Sequence, residues 1–205
     1  MHIDTQKIDQ IASNIFAPVY ILLAQQILDR TGIENGLCLD LGSGGGYLGL
    51  ALAWNSKLRV CLLDESEDMR RIAEQNIYKR QLETRVTALL GDMRAIPLKD
   101  RCANLVVSRD AIYGWDDPAP ILREVWRVLA PGGQACIGGG FGSREVRNDV
   151  IARMRIQEPR WQPGYQNFSE SVFEASLEKA KLKSARVVRD ESGTWIRLKK
   201  PQTRL

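Results

Sequence analysis

Between residues 37 and 138 the chain alternates short, almost uninterrupted apolar runs with longer stretches of helical periodicity. That alternation limits the possible folds more than any other feature. The apolar runs are Leu37–Leu41, Leu58–Asp64, Arg85–Leu90, Ala103–Val107 and Gln134–Gly138. A strand whose successive side chains are all apolar has both faces covered, which is the condition inside a parallel sheet flanked by helices. The helical stretches between them are Tyr47–Trp54, Glu67–Lys79 and Pro118–Leu129, the last expected to stop at the Pro131-Gly132-Gly133 break. This alternation of strand and helix predicts βαβ units, and so an α/β, Rossmann-like, doubly wound sheet that is mostly parallel, with helices on both faces.

Outside this core the periodicity predicts two leading helices. In Thr5–Ile15 the residues Ile8, Ile11 and Ile15 share a face, and Pro18 opens a second helix running through Leu28 and ending before Gly32. After the core come a helix over Ser143–Ile156, an irregular stretch over Glu158–Asn167 and a helix over Glu170–Ala180. Two strands, Ser184–Arg189 and Thr194–Leu198, flank the turn Asp190-Glu191-Ser192-Gly193 and predict a closing antiparallel hairpin.

Composition removes several classes of chemistry. The 205 residues carry a net charge of +4, and the basic side chains gathered near the C-terminus are interrupted by Asp190 and Glu191. They lack the interleaved aromatics of a nucleic-acid stripe and read as a solvated surface, so no nucleic-acid partner is expected. The four cysteines (Cys38, Cys61, Cys102, Cys136) form no C-x-x-C pair, and the one histidine is His2. Neither a metal site nor histidine-based catalysis is expected from that set. No apolar run approaches the roughly 20 residues of a bilayer span, and the first ten residues do not read as a secretory signal. The expected location is the cytoplasm.

Asp40-Leu41-Gly42-Ser43-Gly44-Gly45-Gly46 follows the first buried run and opens a helix. Glycines at such a turn allow positive φ and close approach of a ligand to the backbone, and the free amides at the helix start favour a polar or anionic group. Asp64 ends the second run, 20 residues beyond Gly44, near the offset at which a carboxylate meets ribose hydroxyls in nucleoside-binding βαβ units. Gly44-x-Gly46-x-x-Gly49 also satisfies a dinucleotide fingerprint in a shifted register, which keeps a nicotinamide-dependent oxidoreductase open.

Four motifs in order give a more specific indication: DLGSGGG (Asp40–Gly46), LLDESEDM (Leu62–Met69), GDMRAIPL (Gly91–Leu98) and REVWRVLAPGG (Arg123–Gly133). Together they resemble class I S-adenosylmethionine-dependent methyltransferases, in particular the quinone-methylase-like (type 11) group, over roughly Leu37 to Gly139. The resemblance implies that the backbone at Gly42, Gly44 and Gly46, with Ser43 among them, approaches the methionine part of the cofactor, and that Asp40 positions its amino group. It implies that Asp64, beside Glu65, holds the ribose, that Met69 packs on the adenine, and that Asp92 and the Met93 amide face the base. The resemblance also implies that Ser108 and Arg109, just after the fourth run, come beside the transferable methyl group, and that Tyr20 reaches the cofactor carboxylate.

Methyl transfer from a sulfonium is an in-line displacement that positioning in a dry pocket can largely supply. Asp110 is the catalytic candidate if the acceptor has to lose a proton. Tyr113, Trp115, Trp161 and Tyr165, with Tyr20, are the expected acceptor contacts. The segment from Ser108 to Trp115 lacks the Asn/Asp-Pro-Pro-aromatic motif of DNA-amine methylation. The expected acceptor is therefore a small molecule, the alternative being a protein or RNA partner. Gly138–Gly142 reads either as a close-packed turn or as a hinge. The expected organisation is one domain: an N-terminal helical cap (1–34), a cofactor-binding core (35–140), a helical segment (141–183) and a hairpin (184–199), acting as a monomer or homodimer.

Overall fold

The computed structural model describes residues 4–164 and 170–202. Its strands are β1 (Asn35–Leu41), β2 (Lys57–Asp64), β3 (Val86–Leu90), β4 (Ala103–Arg109), β5 (Leu129–Gly139), β6 (Ala185–Asp190) and β7 (Gly193–Lys199). They form one sheet in the order β3-β2-β1-β4-β5-β7-β6. The first five run parallel, and β7 lies antiparallel between β5 and β6. This is the sheet the alternating pattern predicts. The strand order reverses between β1 and β4, and the crevice outside the carboxyl ends of strands at such a reversal is where open α/β sheets bind ligands.

The helices are α1 (Thr5–Asn14), α2 (Ala17–Thr31), α3 (Tyr47–Trp54), α4 (Glu67–Lys79), α5 (Pro118–Val128), α6 (Arg144–Gln157) and α7 (Glu170–Ala180). Alternate residues of each strand feed two separate cores. Cys38, Leu105 and Val107 join the layer under α2, α3 and α4, while Leu39, Leu41 and Val106 join the layer under α5 and α7. Period-two alternation between two apolar faces is what makes these strands continuously apolar. Helix starts follow local chemistry. Ser66, Asp117 and Ser143 each place a side-chain oxygen on a free amide of the first turn of α4, α5 and α6, and Pro118 opens α5.

α2 ends before Gly32 as expected, because Gly32 takes the left-handed conformation (φ 65°) that terminates a helix after Thr31. The structure corrects two details. Pro131-Gly132-Gly133 does not separate α5 from a later strand. It lies inside β5 as an irregularity, with Leu129 opposite Ala103 and Gln134 opposite Leu105. There the Gly132 amide donates to Lys200 O and the Lys200 amide to Gly133 O, both at 2.9 Å, so the residue that follows β7 satisfies the backbone that the break would have left unpaired. Beyond β4 the chain turns through a 3-10 helix, Ala111–Gly114, which the sequence did not announce. Among the described residues no single helix is long and apolar enough to cross a membrane; α1 and α2 reach that length and composition only as a pair bent by 68°.

Candidate functional site

Three strand ends meet above the β1–β4 crevice. The turn after β1 is pinned from below: the Gly42 and Ser43 amides donate to Leu63 O at 2.8 and 3.0 Å. The Asp64 carboxylate, at the end of β2, accepts from the Gly44 amide (2.8 Å) on one oxygen and from the Ser66 amide (2.9 Å) on the other. Asp64 therefore organises the glycine turn and the start of α4 together. Gly42, Gly44 and Gly46 all have positive φ, at 66°, 53° and 83°. A side chain on Gly42 would meet Ala111 and Met93, and one on Gly46 would strike Leu62 of β2, whereas nothing lies within 4 Å of the position a Cβ would take on Gly44. The turn is packed on both sides and open at its centre.

Strand pairing brings the other acidic residue near. Asp64 lies opposite Leu90 in the β2–β3 register, and the Gly91 amide donates to Asp64 O at 3.0 Å. Asp92 follows immediately, so the two carboxylates flank one edge of the cleft. Asp92 Oδ1 accepts from the amide and the guanidinium of Arg94 (2.7 and 3.0 Å), and these hold its carboxyl below the ordinary range. The Met93 amide donates to Glu65 Oε1 at 3.2 Å. Met69 is buried at the first turn of α4.

Asp40 lies beneath the turn, 2% exposed, accepting from the Gly49 amide at 2.8 Å. Burial pushes its carboxyl up to about 7, against the lowering effect of that amide. Ser43 Oγ is buried with no hydrogen-bond partner among the described residues. A buried hydroxyl left unpaired costs free energy, and such atoms in a cleft commonly await a ligand.

Beside this cleft lies a second space of about 210 Å³, walled by α1, α2, the end of β4 and the segment after α6. Arg109 and Asp110 supply its charged wall. The Arg109 side chain is 7% exposed, and its Nη1 lies 2.9 Å from Asp110 Oδ2. Its Nε donates to Gly140 O at 3.1 Å, and its guanidinium carbon lies 5.1, 5.3 and 5.8 Å from the ring centres of Phe16, Tyr20 and Phe141. Among the described residues, Arg109 Nη2 is buried with no hydrogen-bond partner. Asp110 takes a left-handed backbone (φ 65°), a conformation that aspartate tolerates better than most residues, and this turns the chain from β4 into the 3-10 helix. Crowding by protein raises its carboxyl above the ordinary value, with Arg109 opposing.

The expected residues divide accordingly. Gly42, Ser43, Gly44, Gly46, Asp64, Glu65, Asp92 and Met93 gather at the cleft, with Asp40 beneath it. Tyr20, Arg109, Asp110, Tyr113 and Trp161 line the second space. Two placements differ from expectation. The Ser108 hydroxyl donates to Leu41 O at 2.6 Å and is fully buried, tying β4 to β1 rather than facing a ligand. Trp115 does not line the acceptor-side space; it packs against the core layer under α5 because the 3-10 helix carries it past the opening. Tyr165 lies outside the described residues.

Sequence reasoning missed three contributors. Phe16 and Phe141 complete the ring around Arg109. Asp9 accepts from Tyr47 Oη (2.6 Å) and Asn76 Nδ2 (3.2 Å), and Asn76 also donates to Gly45 O (3.0 Å), which straps α1 across the glycine turn. Partners 38 and 67 residues apart leave no local signal. Finally, Gly138–Gly142 resolves as close packing. Side chains at Gly138 and Gly140 would run into the backbone of β7 and of its preceding turn, and one at Gly139 into Asp110 and Tyr113.

Comparison with known proteins places these features in a family context. Residues 39–137 match the methyltransferase domain family. An S-adenosyl-L-methionine-dependent methyltransferase, so assigned, from Methanococcus maripaludis is 36% identical in its crystal structure, over 98% of this chain and 94% of that one, with a TM-score of 0.92. A second, from Aquifex aeolicus, shares the fold at 21% identity and TM-score 0.72, over 97% of this chain and 98% of that one. Among curated relatives, the 2-methyl-6-phytyl-1,4-hydroquinone methyltransferase of Spinacia oleracea is 33% identical over 52% of this chain and 30% of its own length. The demethylmenaquinone methyltransferase of Lactiplantibacillus plantarum is 33% identical over 48% of this chain and 43% of its own. The chain thus matches less than half the length of these two curated relatives.

Proposed function

The chain belongs to the S-adenosylmethionine-dependent methyltransferases, and from that premise we propose that it methylates a small molecule seated in the space beside Arg109 and Asp110. Family membership removes the nicotinamide reading of Gly44-x-Gly46-x-x-Gly49. The residues present fit the cofactor on two observations. The space at Gly44 is open while its neighbours on the turn are packed, and Ser43 Oγ stands buried beside it with no hydrogen-bond partner among the described residues. When bound, S-adenosylmethionine supplies a methyl group already activated by its positive sulfur.

The chain's own residues do the rest. The open backbone at Gly44 lets the amino-acid end approach, with Asp40 beneath it; Asp64 takes the ribose hydroxyls with the lone pairs its two amide donors leave, and Asp92, beside Met93, takes the base. Met69 covers the ring. Tyr20 and Arg109 stand where cleft and second space adjoin, and the aromatic wall excludes water from the acceptor. Asp110 is available to hold a proton the acceptor gives up; an acceptor with a free lone pair needs positioning alone.

The observation that carries this reading is the junction of an open glycine turn with a small, aromatic-walled space sharing the end of β4. Relatives named for quinone substrates support a small-molecule acceptor rather than a macromolecule. Calorimetric titration with S-adenosylmethionine and separately with NAD tests the cofactor; binding of NAD alone overturns the proposal. Incubation of a metabolite extract with labelled methyl donor identifies the acceptor. Asp110→Asn separates the two mechanisms: turnover lost with cofactor affinity intact requires the carboxylate, and turnover kept leaves positioning as the main contribution.

A further inference from the structure

The second space carries more information than its position. About 210 Å³ is somewhat more than the roughly 150 Å³ cavity that one benzene molecule occupies, so it admits a single six-membered ring with small substituents. Its uncharged walls are apolar, five rings (Phe16, Tyr20, Tyr113, Phe141 and Trp161) together with aliphatic side chains of α1 such as Ile8 and Ile11. Planar aromatic walls select a flat apolar body.

The charged wall then specifies what that body carries. Arg109 and Asp110 form a close pair, 2.9 Å apart, with opposite formal charges that cancel at the mouth of the space. A carboxylate entering here meets Asp110, and an ammonium meets Arg109; neither is favoured. A hydroxyl satisfies both, because its oxygen accepts while its hydrogen donates. Arg109 has the unspent donor: among the described residues Nη2 is buried with no hydrogen-bond partner, on a side chain 7% exposed. Asp110 has the accessible acceptor, with 42% of its side chain exposed. Nη2 is closed over by the rings around it, so one of them has to rotate to admit the oxygen, and relief of an unpaired charged donor favours that opening.

We propose that Arg109 and Asp110 together recognise a neutral hydroxyl on a compact, single-ring acceptor, the oxygen accepting from Arg109 Nη2 and the hydrogen donated to Asp110. This rests on the acceptor seat of the proposed function and adds the chemical class that fills it. Gly139 maintains the arrangement, since any side chain there would overlap Asp110 and Tyr113.

The test is a saturation-transfer NMR titration of the full chain with p-cresol, p-xylene and 4-methylbenzoate, alongside S-adenosylmethionine. p-Cresol and p-xylene share a shape and differ only by hydroxyl against methyl. p-Cresol is expected to bind roughly tenfold or more tighter than p-xylene, the ratio for one charge-assisted hydrogen bond, and tighter than 4-methylbenzoate. In Asp110→Asn, which retains a residue suited to the left-handed backbone, the preference for p-cresol falls by roughly threefold or more. Equal binding of p-cresol and p-xylene overturns the proposal, as does stronger binding of 4-methylbenzoate or an unchanged preference in the variant. Failure of S-adenosylmethionine to bind while p-cresol behaves as expected sinks the methyltransferase reading and leaves the hydroxyl site standing.

Discussion

Gly139 of β5 lies against Asp110 at the end of β4, and the space a Cβ would need on Gly139 is already filled by the Asp110 carboxylate and the Tyr113 ring, whose hydroxyl stands 2.7 Å from that position. Its partner strand contributes to the crowding: the Asp110 amide donates to Gly138 O at 2.6 Å, which fixes where the carboxylate starts from. The absence of a side chain at 139 thus sets the position of the charged wall.

Gly139→Ala therefore pushes Asp110 and Tyr113 outward. Overpacking at this position is expected to cost about 1–3 kcal/mol in urea unfolding. Displacement of the acceptor wall by a few tenths of an ångström or more is expected to lower kcat/KM by roughly tenfold to 100-fold, with S-adenosylmethionine affinity little changed. An equal loss of cofactor binding would mean that β5 also shapes the cleft.

Asp64 joins the glycine turn to α4 by two amide hydrogen bonds. Asp64→Ala removes both, together with the carboxylate proposed for the ribose. Calorimetry is expected to give a Kd for S-adenosylmethionine raised by roughly 100-fold, since hydrogen bonds to charged groups contribute about 1.5–3 kcal/mol each. A weakening below threefold would remove Asp64 from the cofactor site.

Asp40 gives a pH dependence with a definite sign. Burial raises its folded carboxyl from 3.8 to about 7, so the folded chain binds this proton more tightly than the unfolded chain does. The associated stability is fully present below about pH 4. It is lost as pH rises toward 7, at a rate on the order of 1.4 kcal/mol per pH unit between the two values. Asp40→Asn keeps an acceptor for the Gly49 amide and cannot ionise. Urea unfolding of the variant across that range is expected to lack this slope and to show greater stability than the parent near neutrality. A parent curve as flat as the variant's would contradict the buried, ionisable assignment.

The strap across the cleft is also measurable. α1 has no buried residues of its own, so Asp9, through Tyr47 and Asn76, is a main anchor. Burial and the Asp9 hydrogen bond hold the Tyr47 phenol up at about 12. Asp9→Ala is expected to bring that phenol down in an ultraviolet absorbance titration. It should also speed amide exchange across Thr5–Asn14 while global stability changes by about 1 kcal/mol or less. Unchanged exchange would locate the anchor elsewhere, for example in Arg153 Nη2 donating to Asn14 O at 2.6 Å.

What the chain alone determines here is whatever depends on nearest neighbours and on the two faces of each strand. Continuous apolar runs such as Val60 to Leu63 require cover on both sides, and the Gly42–Gly46 turn requires left-handed backbone. From these follow the parallel sheet, the βαβ order and the cleft with Asp64 at its edge. Asp92 is legible only through motif resemblance. Tertiary structure decided the features that join distant segments. Sheet order placed Arg109 among Phe16, Tyr20 and Phe141, and antiparallel β7 drew Gly132 and Gly133 into β5. Close backbone approach explained Gly138–Gly140, and packing took Trp115 away from the acceptor-side space and turned the Ser108 hydroxyl toward Leu41. The physical reason is the same throughout. Propensity and periodicity act over a turn or a strand, whereas a contact between residues 31 to 93 positions apart, as at Arg109, depends on how rigid elements stack, which no local pattern encodes.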